Sequence, residues 1–291
     1  MASPSASRRR RQRLYPLLGM VVLVLLLALI VRWVVGLLDS NIPTVMPPDQ
    51  QCQVVVGDEV DSLSLEQAGN AAVIVAEAQR RGLPARASSI ALATAMQESD
   101  LRNIDYGDRD SVGLFQQRTS QGWGTVEQIM DPWYASGKFY EHLVKVPGWQ
   151  SGDINDVAQK VQRSGVPDGY RKHVEAAKAW GSALTGHSPA AVSCLDRGSQ
   201  TPSSQDAAAM VTKAFGKRVS VTTGQAQVTL NAPSATDLWS ATQLFMMTTA
   251  SSGVTQVQVG GQTWANQTDA VARWQGSATP KPTEAVITLR A

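Results

Sequence analysis

The sequence has little that would support a metal, nucleotide or nucleic-acid function. Its three histidines, His142, His173 and His187, are scattered, and no Cys/His spacing resembles a metal site. No glycine-rich loop precedes a predicted helix, as a phosphate-binding loop would require. Six of the 26 basic residues precede Asp39, the first acidic residue, which leaves twenty basic against 24 acidic residues in the remainder. This excess of acidic over basic residues is not typical of a nucleic-acid-binding protein. We therefore expect no cofactor, no metal and no nucleic-acid partner.

Charge is also missing from a long stretch near the start of the chain. Residues 14–31 carry none, and the arginines before them form a basic cluster. This pattern predicts a cytoplasmic tail over 1–13 and a transmembrane anchor over 14–38, with the rest of the chain outside the cell. A cleaved signal peptide is the alternative, but its apolar core would be shorter and end in a small-residue cleavage site.

Cysteine occurs only twice, at Cys52 and Cys194. A proline-containing linker is predicted over 39–51, so the two cysteines bracket a predicted domain over 52–195. In an oxidising compartment outside the cell, such a pair is expected to form a disulfide. Two unrelated buried thiols are the alternative interpretation.

Within that domain the apolar spacing is helical and strand signals are few. Caps, prolines and glycines predict where the helices begin and end. The predicted helices are one starting after Ser64, one from Leu83-Pro84 to Glu98, one from Asp131-Pro132 to Val146, one from Asp153 through Arg163 and one from Asp168 through Ala183.

After a second linker over 196–205, the pattern changes. Residues 206–291 read as helix, strand, helix, hairpin and strand, which predicts a small two-layer α+β domain of unknown role with a possible protein partner. Trp239, Trp264 and Trp274 either pack in its core or form a ligand-stacking surface.

The candidate catalytic residues lie in two short motifs. One is Glu98-Ser99, which ends an apolar helix, and the other is Gly113-Leu114-Phe115-Gln116. A lone carboxyl with apolar groups behind it has its pKa raised by desolvation, as a general acid working near neutral pH requires. The two motifs, in this order, resemble the Glu-Ser and Gly-Leu-Met-Gln motifs of soluble lytic transglycosylases. Those enzymes share the lysozyme-like fold and are similar to goose-type lysozymes.

The resemblance covers roughly residues 60–185. It implies a mainly α lysozyme-like domain. Together with the anchor predicted from the uncharged stretch and the domain predicted from the C-terminal pattern, the expected fold is a mainly α lysozyme-like domain behind a single N-terminal transmembrane helix, plus a small C-terminal α+β domain. The family's third motif corresponds to Val161–Gly165, including Gln162, and lacks the family's tyrosine. Tyr170 is a candidate to replace that tyrosine beside the catalytic glutamate.

The resemblance also implies that Glu98 is the acid/base that cleaves the β-1,4 bond between N-acetylmuramic acid and N-acetylglucosamine. Ser99 can orient the carboxyl, and Gln116 can donate to a substrate group. Tyr106 and Trp123 can stack on sugar rings, although a packed role suits Trp123 as well.

The acidic loop from Asp105 to Asp110 has more than one possible role. Asp108 or Asp110 can position a water, which would make the reaction a hydrolysis. Both can instead form turns and a salt bridge with Arg109 or Arg118. A calcium site is a third interpretation, but the spacing does not fit an EF-hand loop.

The leading hypothesis is therefore a cell-membrane enzyme, with its catalytic and C-terminal domains extracellular, that acts on peptidoglycan glycan strands as a lytic transglycosylase. The alternatives are a hydrolytic muramidase that uses a second aspartate, and a non-catalytic wall-binding or assembly module. A transporter is excluded because one membrane span cannot enclose a pathway.

Overall fold

The structure is a computed structural model that describes residues 26–27, 29–30, 32, 49–198 and 203–290. The chain divides into two units after Pro47, and the residues from Pro48 onward form one compact unit. Within the described residues, no helix is both long and apolar enough to cross a membrane. The anchor predicted over 14–38 lies outside the described residues except at Leu26, Leu27, Leu29, Ile30 and Arg32, which are helical.

The helices of the compact unit are α1 Leu65–Arg80, α2 Ala85–Ser99, α3 Val126–Ile129, α4 Pro132–Leu143, α5 Ile154–Gln162, α6 Val174–Leu184, α7 Ser204–Phe215, α8 Ala235–Met246 and α9 Thr249–Ser252. The strands are β1 Gln51–Val56, β2 Glu59–Ser64, β3 Ser111–Val112, β4 Gln117–Arg118, β5 Val192–Leu195, β6 Ser220–Thr223, β7 Gln227–Asn231, β8 Val254–Val259, β9 Gln262–Ala265, β10 Gln275–Gly276 and β11 Glu284–Leu289.

The predicted fold class is wrong. The structure is about 45% helix and 19% strand, with several sheets, and the membrane helix that the prediction included is not found among the described residues. The strands form a sheet in the order β2-β1-β5, a sheet in the order β10-β9-β8-β11-β7-β6 and the short pair β3-β4. The prediction failed because β1 is stabilised by a partner some 140 residues away, which local periodicity does not reveal.

The first sheet explains how the two cysteines meet. Strand β1 pairs antiparallel with β5, and Cys52 lies directly opposite Cys194. The two sulfurs form a disulfide across a sequence separation of 142 residues, so the predicted bridge is confirmed. Both cysteines are fully buried, which places the bridge in the core rather than at the surface.

Local sequence signals set the helix ends as expected. Ser64 caps α1 with a capping box completed by Gln67, and Asp131 caps α4 with Pro132 at its first position. The last predicted helix begins later than expected, at Val174, because Arg171–His173 forms a 3₁₀ turn.

The helical part and the part after the second linker share one buried interface. Gln243 on α8 is fully buried, and its amide oxygen accepts from the backbone nitrogens of Ala191 (2.9 Å) and Val192 (3.0 Å). Its amide nitrogen donates to the carbonyl of Ala183 at 2.6 Å. The predicted boundary between two domains at 196–205 stays a prediction. If the two parts folded separately, the hydrogen bonds of Gln243 across this interface would be lost.

The three C-terminal tryptophans pack inward. Trp264 and Trp239 are 1% and 4% exposed, and Trp274 lies edge-on to Trp239 with ring centroids 5.3 Å apart. The indole nitrogen of Trp274 donates to the carbonyl of Val192 at 2.8 Å. These contacts fit the core interpretation, because the rings are committed to packing.

Candidate functional site

The helix that carries Glu98 ends through two consecutive residues in the left-handed region. Asp100 has φ 54° and Leu101 has φ 57°, an uncommon conformation for residues other than glycine. The side-chain amides of Gln67 and Asn70 on α1 donate to the carbonyls of Asp100 and Leu101, each at 2.8 Å. Helix α1 therefore holds the turn that follows Glu98. Sequence reasoning missed Gln67 and Asn70, since only their placement on a neighbouring helix reveals the role.

Ser99 connects the two sequence motifs. Its hydroxyl donates to the carbonyl of Leu114 at 2.8 Å and also approaches the carbonyl of Ala95 at 3.2 Å. The side chain is 8% exposed and is therefore committed to the protein interior. Ser99 fixes the end of α2 against the second motif, which places Glu98 without a contact to its carboxyl.

Gly113 is required where the second motif turns. Its φ is +78°, and a Cβ there would lie 2.8 Å from the carbonyl oxygen of Ile129. The next residues, Leu114 and Phe115, are fully buried, and the ring of Phe115 stacks on Phe139 with centroids 4.7 Å apart. The motif thus forms the packed support behind the carboxyl.

The Glu98 carboxyl is half-buried and is contacted by neutral groups. Burial raises its pKa above the ordinary 4.5, and hydrogen bonding from Tyr170 and Gln162 offsets only part of that effect. The Tyr170 hydroxyl donates to Glu98 Oε1 at 2.6 Å. Gln162 is held by its own amide, which donates to the carbonyl of Phe115 at 2.7 Å.

Tyr170 is suited to act as a permanent donor. It is fully buried, and burial together with the adjacent Glu98 charge raises the pKa of its phenol well above the ordinary value. The structure therefore places a tyrosine hydroxyl beside the glutamate even though the third motif lacks one. Tyr170 comes from the segment between α5 and α6 rather than from α5 itself.

The two aspartates of the acidic loop have other partners. The Asp110 carboxylate accepts from the backbone nitrogen of Ser120 at 2.8 Å and from Arg118 Nε at 2.7 Å. These bonds hold the pKa of Asp110 well below its usual range. Asp108 is 89% exposed, and its ion pair is with Arg109 at 3.8 Å. Neither aspartate is among the groups that shift the pKa of Glu98.

Tyr106 and Gln116 are brought together with each other rather than with Glu98. The amide of Gln116 donates to the carbonyl of Tyr106 at 3.2 Å, while the Tyr106 side chain is 68% exposed. Gln116 adopts φ 47°, which aims its side chain back across this loop. The exposed tyrosine remains available for a ligand ring.

A groove of about 630 Å³ lies beside Gln162. Trp123 forms one wall, where it stacks on His142 with ring centroids 4.2 Å apart, and is itself 8% exposed. The full lining is Gln121, Trp123, His142, Lys145, Val146, Pro147, Lys160, Val161, Gln162 and Arg163. Gln162 belongs to both the groove lining and the surroundings of Glu98, so one side chain is common to the groove and the carboxyl. Sequence reasoning missed the cationic lining, although Lys160 and Arg163 flank Gln162 in the sequence.

Within the described ranges, no group of three or more His, Cys, Asp or Glu side chains is arranged to hold a metal ion. No family model matches the chain, and no curated protein matches it either. The chemistry of the site is therefore argued from its own geometry and from the two motifs.

Proposed function

We propose that this chain cleaves the β-1,4 bond between N-acetylmuramic acid and N-acetylglucosamine in peptidoglycan, as a lytic transglycosylase. The observation that carries the proposal is the state of Glu98, a half-buried carboxyl with a raised pKa and a hydrogen bond from Tyr170. A carboxyl kept protonated toward neutral pH can act as a general acid. The resemblance of its two motifs to those of the transglycosylases supports the choice of substrate.

In the proposed first step, protonated Glu98 gives its proton to the glycosidic oxygen, and the bond to C1 of the muramic acid breaks. The substrate's own 2-acetamido group stabilises the cationic centre that develops at C1. Glu98, now a carboxylate, then removes the proton from the 6-hydroxyl, whose oxygen attacks C1 and forms a 1,6-anhydro ring. The Tyr170 hydroxyl favours the first step, because its hydrogen bond strengthens as Glu98 becomes a carboxylate.

A single carboxyl is sufficient for this route. Retaining and inverting glycosidases place a second carboxyl about 5–10 Å from the first. Asp110 is bonded to Ser120 and Arg118, and Asp108 is exposed beside Arg109. This observation favours the transglycosylase over the hydrolytic muramidase. A non-catalytic wall-binding module remains the second candidate, because the third motif at Val161–Gly165 departs from the family pattern.

The proposal also places the compact unit outside the cytoplasm. A buried disulfide between Cys52 and Cys194 is typical of oxidising compartments. Attachment to the cell membrane rests on the uncharged stretch over residues 14–31 alone. A protein partner for residues 206–291 stays a prediction.

The test is an analysis of the products that the purified full-length chain releases from peptidoglycan. Muropeptides with 1,6-anhydro ends support the transglycosylase, and reducing ends would transfer the assignment to the muramidase. A folded chain that releases no product, while still binding peptidoglycan, would leave only the wall-binding module.

A further inference from the structure

The groove beside Gln162 carries positive charge without a counter-charge. Lys145, Lys160 and Arg163 line it, and its lining contains no acidic side chain. None of the three has an ion pair among the residues that the structure describes. By contrast, Arg118 and Arg171 on nearby segments are paired with aspartates. Three cations without an ion-pair partner among the described residues therefore line one groove.

These charges converge on one place. Burial lowers the pKa of His142, and the positive charges of Lys145, Lys138 and Arg163 lower it further, while the negative charge of Glu141 offsets part of that effect. Lys145 follows α4 and Arg163 ends α5, so cations from two segments act on the same imidazole. That imidazole stacks on Trp123 in the groove wall. A ligand in the groove would thus meet an aromatic wall and an electropositive rim.

The position of the groove relative to Glu98 limits what can occupy it. Gln162 lines the groove and also lowers the pKa of Glu98. A ligand in the groove would therefore lie beside Gln162, which also contacts the carboxyl that is proposed to act on the glycosidic bond. In peptidoglycan, the group attached next to that bond is the peptide on the lactyl ether of muramic acid, which carries carboxylates.

We infer that this groove binds the carboxylate-bearing stem peptide of peptidoglycan and makes the chain selective for peptide-substituted strands. The inference rests on the proposed function for its substrate. The stem peptide presents several carboxylates to the three unpaired cations, whereas a peptide-stripped glycan presents hydroxyls and only the lactyl carboxylate that amidase cleavage leaves on each muramic acid. Phosphate on other wall polymers has similar chemistry, so the experiment must separate the two sources.

The test uses the full chain with Glu98→Gln, so that binding is measured without cleavage. One variant adds Lys145→Ala, Lys160→Ala and Arg163→Ala. A matched control adds Lys217→Ala, Arg273→Ala and Lys281→Ala, which removes the same charge from exposed positions outside the groove. Binding is measured to acid-extracted peptidoglycan that lacks phosphate polymers, to the same material stripped of peptides by an amidase, and to unextracted walls.

The groove variant should bind extracted, peptide-bearing peptidoglycan about tenfold or more weakly, which corresponds to about 1.4 kcal/mol or more in binding free energy. The expected loss is modest because contacts of exposed cations are screened by solvent. The control variant should keep its affinity, and the two variants should differ much less on stripped glycan, which retains only its lactyl carboxylates. An equal loss on stripped glycan, a loss confined to unextracted walls, an equal loss in the control or no measurable binding by Glu98→Gln itself would each overturn the inference.

These outcomes are separate from failure of the proposed reaction. If the chain with Glu98→Gln still cleaves peptidoglycan, the proposed role of Glu98 falls. The difference in binding between peptide-bearing and stripped material would still decide the role of the groove.

Discussion

Glu77 and Glu98 lie in the last turns of two neighbouring helices, α1 and α2, but their surroundings differ in charge. Glu77 is 3% exposed and accepts from Arg80 Nε and Arg81 Nε, each at 2.6 Å. Burial alone would raise the pKa of Glu77, but the two arginines outweigh it and lower the pKa. Among the residues that the structure describes, the donors to Glu98 are the neutral groups of Tyr170 and Gln162, so burial prevails and the pKa of Glu98 rises.

The difference comes from how each helix ends. Arg80 and Arg81 follow Glu77 by three and four positions, which places them on the same helical face. Arg102 follows Glu98 by four positions as well. The left-handed residues Asp100 and Leu101 end the helix first, and Arg102 lies instead 4.0 Å from Asp100. The turn held by α1 therefore keeps a cation away from Glu98.

The largest expected effect is that of Glu98→Gln. Glutamine keeps the volume and can still accept from Tyr170, but it cannot transfer a proton. Cleavage should fall by about 10²–10⁴-fold, measured as muropeptide release at saturating peptidoglycan. Wild-type turnover in this variant would remove the enzymatic proposal.

The same variant should become more stable relative to the parent as the pH rises. Because the pKa of Glu98 is raised, its ionisation costs the folded state stability as the pH rises above 4.5 and through the folded pKa. Glutamine removes that loss. Denaturant unfolding should find Glu98→Gln at least as stable as the parent at neutral pH, with no advantage below pH 4.5.

Glu77→Gln should have the opposite profile. It leaves Arg80 and Arg81 without their carboxylate and should cost about 1–3 kcal/mol of unfolding free energy at neutral pH. Since the pKa of Glu77 is lowered, this difference should shrink as the pH falls below 4.5 and through the folded pKa. The exposed pair Glu175–Lys178 is the control, because Glu175→Gln should change stability by less than about 1 kcal/mol.

Tyr170→Phe tests the hydrogen bond from the segment between α5 and α6 to the Glu98 carboxyl. Loss of the hydrogen bond should reduce cleavage by about 2- to 10-fold, from roughly 0.5–1.5 kcal/mol. It should also move the alkaline limb of the pH–rate profile to higher pH, because that bond lowers the pKa of Glu98. Tyr140→Phe, which removes a buried hydroxyl bonded to Ile74, should leave the profile unmoved.

Asp108→Asn and Asp110→Asn are expected to have the smallest effect. Neither carboxylate carries an essential proton in the proposed route, so both variants should keep cleavage within a few-fold of the parent. If either folded variant is as inactive as Glu98→Gln, a second catalytic carboxyl exists, and the muramidase becomes the better assignment.

Local signals predicted what depends on neighbouring residues. The cap at Ser64, the start at Asp131-Pro132 and the hairpin at Gly260-Gly261 are encoded within a few positions, and the structure contains each. The cysteine pair was predictable from its compartment and placement, and the disulfide is confirmed.

Features that depend on distant pairing were not predictable. Strands β1 and β2 were missed because β1 is completed by β5, and the six-stranded sheet exceeded the few strands expected. Tyr170 was suggested as a donor to Glu98 only because the third motif lacks the tyrosine of the family pattern. The supports at Gln67 and Asn70 required the packing of α1 against the turn after α2.

The contrast between the two glutamates can be measured directly by a ¹³C NMR titration of labelled glutamate carboxyls, with the Glu98→Gln and Glu77→Gln variants identifying the signals. The account predicts that the signal missing from Glu98→Gln titrates above 4.5, and that the signal missing from Glu77→Gln titrates below it. A Glu98 pKa at or below 4.5 would contradict the claim that its surroundings prepare it to act as a general acid.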